Sequence, residues 1–251
     1  MSTLKNRWIH TLAASALAWG AGSAQAITLT LPTTLIDAEA TFKFSEMSST
    51  LMTNMGVSVS AMGNTVANDG GWSFMMPVTQ VALSQTLFPF ATTPVSGEAI
   101  GSSLLIQNNK GALALSNFEL DFKRNILMAD LTTAAGTTKS FDVYAFKVDK
   151  DLHLSTTGGL SLDMSLTNMM LTTGAQGAFM SALQLPSFLS AALPLLDFGT
   201  LDVEISPSLR FGVSDKPFMA NVTAVPELSS SVMLGLGLAG IAFVSRRKLA
   251  H

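Results

Sequence analysis

The sequence predicts an all-β fold. It reads as an antiparallel β-sandwich or barrel-like ectodomain with one short helix, between an N-terminal signal peptide and a single C-terminal transmembrane helix. Three observations predict this. Many segments alternate apolar and polar residues with period two, and clusters of Gly, Asn, Asp and Lys divide them. All 17 acidic residues lie between Asp37 and Glu227, whereas both ends are apolar and cationic. There is no Cys, so an exported domain would depend on its core rather than on disulfides.

The 251 residues allow one or two domains. The organisation read from them is a signal peptide over 1–26, a β-rich domain over 27–219, a tether over 220–224 and a sorting segment over 225–248. Of the 14 basic residues, Lys5, Arg7, Arg246, Arg247 and Lys248 stand at the ends. Residues 27–227 therefore hold 9 basic and 17 acidic groups, a net of about −8. That balance argues against nucleic-acid binding. The absence of Cys excludes a zinc–thiolate site and a cysteine nucleophile.

The first ten residues are short and cationic. Residues 11–19 (TLAASALAW) are apolar but too short to span a bilayer, and Ala24-Gln25-Ala26 forms an A-x-A cleavage site before Ile27. Signal peptidase is the expected partner there.

Within the domain, strands are expected at Thr41–Ser45, Gly56–Ser60, Ser103–Gln107, Ala112–Ser116 and Asn117–Phe122. Further strands are expected at Ile126–Leu131, Phe141–Val148, Leu152–Leu154 and Leu201–Ile205. Turns are expected at Asn108–Gly111, Lys123–Asn125 and Asp149-Lys150. Gly174–Leu185 is the one expected helix, stopped by Pro186, and Leu193–Leu196 reads as a packed loop.

Candidate chemistry is sparse. Asp149, Asp151 and His153 lie close enough to suggest a metal site, but their composition reads as a solvated hairpin turn. A Ser-His-Asp triad would need His153 as its base, but no G-x-S-x-G context accompanies it. Glu119 and Asp121 share a strand face beside Lys123, as a charged solvent face or as paired carboxylates. Trp72 follows the Asn68–Gly71 turn and either stacks on a sugar ring or packs as a core aromatic. The dense methionines suit irregular cores and adaptable apolar clefts. Asn221-Val222-Thr223 is a formal glycosylation sequon. No residue is assigned as catalytic, cofactor-binding or metal-ligating, and no cofactor is expected.

Leu228 to Val244 is uncharged. Its 17 residues span roughly 25 Å as a helix, just short of a bilayer core of about 30 Å. The cluster Arg246, Arg247, Lys248 acts as a stop on the cytoplasmic side. Gly235, Gly237 and Gly240 fit G-x-G-x-x-G, but no strand precedes them, so they read as helix-packing positions in lipid.

Val225-Pro226-Glu227, followed by this Gly/Leu-rich run and Arg246, Arg247 and Lys248, resembles the PEP-CTERM sorting signal. Pro226 and Glu227 match the first two positions of its Pro-Glu-Pro element, and Leu228 replaces the second proline. The resemblance covers about a tenth of the chain. It implies a bacterial surface or extracellular-matrix protein, non-catalytic, sorted by the membrane transpeptidase exosortase and associated with exopolysaccharide.

A second resemblance concerns the middle. Pro94–Gly97, Leu104–Ile106, Gly111–Asn117, Ile126–Asp130 and Phe141–Phe146 are similar in order to the strands of HtaA-type haem-uptake domains. It covers Gly97 to Leu185 and implies a secreted β-rich haem-uptake fold; with the Met-rich apolar surface or Trp72, the alternative function is a ligand-binding module for haem, lipid or glycan. That family ligates haem through Tyr and His. Phe42 and Phe44 stand where an early Tyr would fall.

Overall fold

Period-two alternation becomes strand pairing along nearly the whole domain. The structure, a computed structural model, describes residues 27–34, 36–68, 70–87, 90–155 and 161–222. The strands are β1 (Ile27–Pro32), β2 (Ile36–Phe44), β3 (Ser58–Gly63), β4 (Val66–Ala67), β5 (Ser73–Pro77) and β6 (Gln80–Leu87). They continue with β7 (Phe90–Gln107), β8 (Ala112–Asp121), β9 (Ile126–Thr133), β10 (Gly136–Ser155), β11 (Ser161–Leu171) and β12 (Gly199–Leu209). Every pairing is antiparallel, in the order β1-β6-β7-β8-β9-β10-β11-β12-β2-β5-β4, with β3 also on β7. The sheet curls into a half-barrel, the barrel-like form of the expectation.

The curl has local causes. β7 slips register between Ala99 and Ser103, and β8 between Ser116 and Glu119, where Asn117 takes φ 53°. β10 slips at three places against β11 and at two against β9. Such bulges bend a strand and raise its twist, so the long strands wrap rather than lie flat. The Val78-Thr79 link then ties distant parts of the sheet together. Val78 N–H donates to Ala38 O (2.8 Å) and Thr79 N–H to Glu98 O (2.7 Å).

The inward rows form one core. β2 points Ala38, Ala40, Phe42 and Phe44 inward, and leaves Glu39 and Thr41 on the outer face. β8 contributes Leu113 and Leu115 before its bulge, and Phe118 and Leu120 after it.

One end of the half-barrel is plugged. Two α-helices, α1 (Glu46–Asn54) and α2 (Thr173–Ala182), lie there with 3-10 turns at Ser187–Ala191 and Leu193–Leu195. Ser45 caps α1, accepting from Ser48 N–H (3.1 Å), and Thr172 caps α2, accepting from Ala175 N–H (3.2 Å). Ser45 Oγ also donates to Asp197 O (2.6 Å), and Ser48 Oγ to Phe198 O (3.1 Å). These bonds tie α1 to the chain about 150 residues away.

Three readings need correction. There are two helices rather than one, because α1 is fixed by these long-range caps and not by its own weak pattern. Asp149-Lys150 is not a turn: both residues lie inside β10, and Lys150 pairs with Ser165 of β11. Asn117 does not open a new strand but is a bulge within β8. The turns at 108–111 and 122–125 are present, and the packed loop is the second 3-10 turn. Among the described residues, no helix is long and apolar enough to cross a membrane. The signal peptide with Ala24 and Ala26, and the segment Val225, Pro226, Glu227, Arg246, Arg247 and Lys248 with its helix at 228–244, lie outside the described residues.

From Arg210 to Val222 the chain forms no helix or strand, yet it is held. Arg210 Nη1 donates to Ala38 O (2.5 Å), and Nη2 donates to Val78 O (2.9 Å) and Thr33 O (3.3 Å). Asn64 Nδ2 donates to Ser214 O (2.7 Å). Asn117 then grips Phe218 from both sides: Oδ1 accepts its N–H (2.7 Å) and Nδ2 donates to its O (3.1 Å). Residues 210–218 thus form a strap over the sheet. The backbone passes so close to Gly101 (φ 83°) that a Cβ there would meet Ser214 O and Lys216 O at 3.0 and 3.1 Å.

Candidate functional site

The end of the half-barrel away from the helices is open. There the inward rows do not close completely, and a narrow cleft with a free volume of about 50 Å³ runs into the core. β6 supplies Val81 and Leu83, β8 supplies Phe118 and Leu120, and β12 supplies Val203 and Ile205. Met76, Met164, Ala40 and Val78 form buried parts of the wall. Leu83, Phe122, Leu152 and Ile205 are half-buried. Phe122 is fixed edge-on against Phe146, with ring centroids 5.8 Å apart.

Strand geometry accounts for the apolar lining. Gly97 and Ala99 of β7 pair with Leu120 and Phe118 of β8, and all four line the cleft. Glu98 and Glu119 pair with each other between them, so alternation directs their side chains to the opposite face. Gly97 has no Cβ, and the nearest atom to one built there is Leu120 Cδ1 at 3.7 Å. Among the described residues, no His, Tyr, Lys or Arg lines this cleft. Two thioethers are the only soft donors, and methionine adapts its shape to irregular apolar ligands.

The outer face differs in kind. Glu39 of β2, Glu204 of β12, Asp163 of β11 and His153 of β10 stand in register across four strands. A polar groove of about 240 Å³ runs over Glu39, Glu204 and Asp163 of this row and their neighbours Thr41, Asp202, Ser165 and Lys150. Lys150 forms an ion pair with Asp163, which holds that carboxyl below the usual range. Ser165 Oγ donates to Asp202 (2.6 Å). Partial burial, then the charge of Asp37, push Glu39 up, opposed by Arg210. Burial, then Glu98 and Asp121, likewise push Glu119 up. Arg124 bonds Asp121 (2.7 Å) and Asp142 (3.0 Å), and lowers Asp121. Among the described residues, no three His, Asp or Glu groups are placed to hold a metal ion.

The sequence candidates disperse over this frame. Asp149, Asp151 and His153 are exposed along β10, and His153 faces Asp163 rather than a Ser. Trp72 is half-buried, edge-on to Phe44 at 5.6 Å, as a core-packing aromatic. Glu119 and Asp121 lie on one outer face, as alternation predicts, and Asp121 is spent on Arg124. Met76 and Met164 are buried in the core, as methionine packing predicts, and also border the apolar cleft. Sequence reasoning missed the cleft itself and the grip of Asn117.

No known family profile and no curated protein matches the chain. Among solved structures, it is similar to the heme binding protein HtaB from Corynebacterium glutamicum, with a TM-score of 0.44 and 10% sequence identity. That comparison covers 73% of this chain and 98% of the other.

Proposed function

We propose that this is an exported, non-catalytic binding module that takes an elongated apolar ligand into the open end of its half-barrel. Its C-terminal segment would anchor and sort it at a bacterial surface or in an exopolysaccharide matrix. The observation that carries the binding reading is the cleft. It is a narrow cleft, and its lining side chains are almost wholly apolar, as those of small-molecule sites predominantly are. Such a space gains little from water and takes apolar guests readily. A lipid chain fits this lining. Haem, the ligand of HtaA-type domains, would find there no imidazole or phenolate, only the sulfurs of Met76 and Met164. Tyr144 is elsewhere, buried among Phe42 and Phe198.

The test is titration of the processed chain with N-phenyl-1-naphthylamine, a neutral apolar fluorophore. Saturable enhancement is expected, and Gly97→Leu should abolish it without lowering the melting temperature, because the new side chain enters the cleft. Non-saturable enhancement, or full binding by Gly97→Leu, would overturn the reading. Haem, scored by a Soret shift, competes for the same space if it is the guest. The sorting reading is tested separately. Deleting Val225–His251 should mislocalise the protein, and unchanged localisation would refute it.

A further inference from the structure

The charges of the described domain avoid one corner of the sheet. β1, β6 and the first half of β7 (residues 27–32, 80–87 and 90–97) contain no charged residue at all. These strands are neighbours, so together they make an uncharged wing. β1 is its free edge, exposed along its whole length. Leu29 and Leu31 pair with Leu83 and Val81, and cross-strand partners point to the same face. Since Leu83 and Val81 line the cleft, the β1 row of Ile27, Leu29 and Leu31 continues the cleft wall outward.

The strap starts at the root of this wing. Arg210 holds Thr33, just after β1, and Val78, just before β6. Twelve large apolar side chains are exposed among the described residues. Seven of them lie on the wing or on and beside the strap: Ile27, Leu29, Leu31, Val95, Leu209, Phe211 and Met219. A soluble surface scatters such residues singly, whereas a concentration of them marks a contact site.

The chain beyond the strap identifies what this corner meets. Only residues 223–227 separate Val222 from the uncharged run that starts at Leu228. Five extended residues reach at most about 18 Å. With that run in a bilayer, the end of the strap at Phe218 is held close to lipid, and the strap leads back from there to the root of the wing. The acidic outer face, with Glu39, Glu204, Asp202 and Asp163, disfavours an anionic surface, so the contact suits neutral or zwitterionic lipid.

We infer that the β1–β6–β7 wing lies against the bilayer and opens the cleft onto it, so that an apolar chain passes between lipid and protein without crossing water. This rests on the anchored, apolar-binding reading above.

The absence of cysteine makes the test clean. A single Leu29→Cys substitution in the full processed chain carries an environment-sensitive fluorophore, and Ala135→Cys at the β9–β10 turn is the control. Both chains are reconstituted with phosphatidylcholine vesicles, with and without nitroxide-labelled lipid. The label at 29 should shift to the blue and lose emission to the nitroxide, and the label at 135 should do neither. Flotation with the vesicles but no quenching at 29, or equal quenching at both sites, would overturn the wing. Failure to float would overturn the anchor, and the wing with it. A label at Phe211→Cys should behave like the one at 29; if it behaves like the one at 135, the strap does not share the contact.

Discussion

The two ends of the half-barrel use the same alternating strands and reach opposite results. At the helical end, side chains converge on a smaller gap of about 30 Å³ between α1, α2 and Phe198. Phe198 is 2% exposed and sits between Tyr144 (5.4 Å) and Phe179 (6.5 Å), while Phe42 and Phe44 pack edge-on at 4.8 Å. Burial pushes the Tyr144 hydroxyl far above its usual titration range, so it stays neutral. Gly111 lets Ala182 O approach to 2.0 Å of where a Cβ would stand. At the open end, β6, β8 and β12 face one another with Val, Leu, Ile and Phe, and none of the described helices fills the gap. A strand's alternation fixes which face is apolar. What arrives from elsewhere in the chain fixes whether that face becomes core or cleft.

The sharpest test of the contrast is truncation at the filled end. Phe198→Ala should cost about 3–5 kcal/mol in urea unfolding, the usual penalty for removing a fully enclosed aromatic. Ile205→Ala at the half-buried mouth should cost under about 1 kcal/mol, since the space beside it is already empty. Equal costs would mean that the open end is as tightly packed as the other.

A paired glycine experiment follows in size. Gly199 takes φ 139°, and a Cβ there would stand 2.0 Å from Lys43 O. Gly199→Ala should therefore lose about 2–3 kcal/mol. Gly97→Ala meets only Leu120 Cδ1 at 3.7 Å and should gain about 0.5 kcal/mol from reduced unfolded-state freedom.

Asn117→Ala should cost about 2 kcal/mol. It removes the grip on Phe218 and leaves the Gly101 N–H without its acceptor, 3.1 Å away. Limited proteolysis should then cut near residues 211–218, and the parent chain should resist cleavage there.

The smallest effect concerns the outer face near the open end. Glu98 and Glu119 are directly paired, and like charges so placed repel. Glu119→Gln should raise stability at pH 7 by about 0.5 kcal/mol. The sign follows from its raised pKa: the folded state prefers the proton, so the penalty exists at neutral pH and fades as pH falls through that pKa toward 4.5. Asp121 and Asp163 are lowered, so their support holds above pH 3.8 and is lost only below it. The Glu119→Gln gain should thus vanish by about pH 4, where the parent begins to weaken for the other reason.

Much of the sheet was legible in the sequence because it is local. Phe141–Val148 and Leu201–Ile205 alternate cleanly and form parts of β10 and β12. The failures have physical causes that a local pattern does not carry. Asp149, Lys150 and Asp151 have turn composition, but β10 continues through them because β11 pairs alongside with register slips. The α1 segment EMSSTLMTN is a weak helix former, held by Asp197 and Phe198 from far down the chain. The cleft draws on residues from β2 to β12, and nothing in any one segment marks its apolar face as unfilled. Methionine density was the one usable signal, and Met76 and Met164 repay it.

The grip of Asn117 on Phe218 has a mechanical consequence. Its side-chain amide offers one acceptor and one donor to a single residue, the same pair that a neighbouring strand would offer. A pull on the C-terminus therefore loads β8 in the middle of the sheet, across the same β-type bonds, before tension reaches the end of β12. Asn64 and Arg210 follow in series along the strap. Force from an attached tail would meet three graded stops rather than peel the last strand from its end.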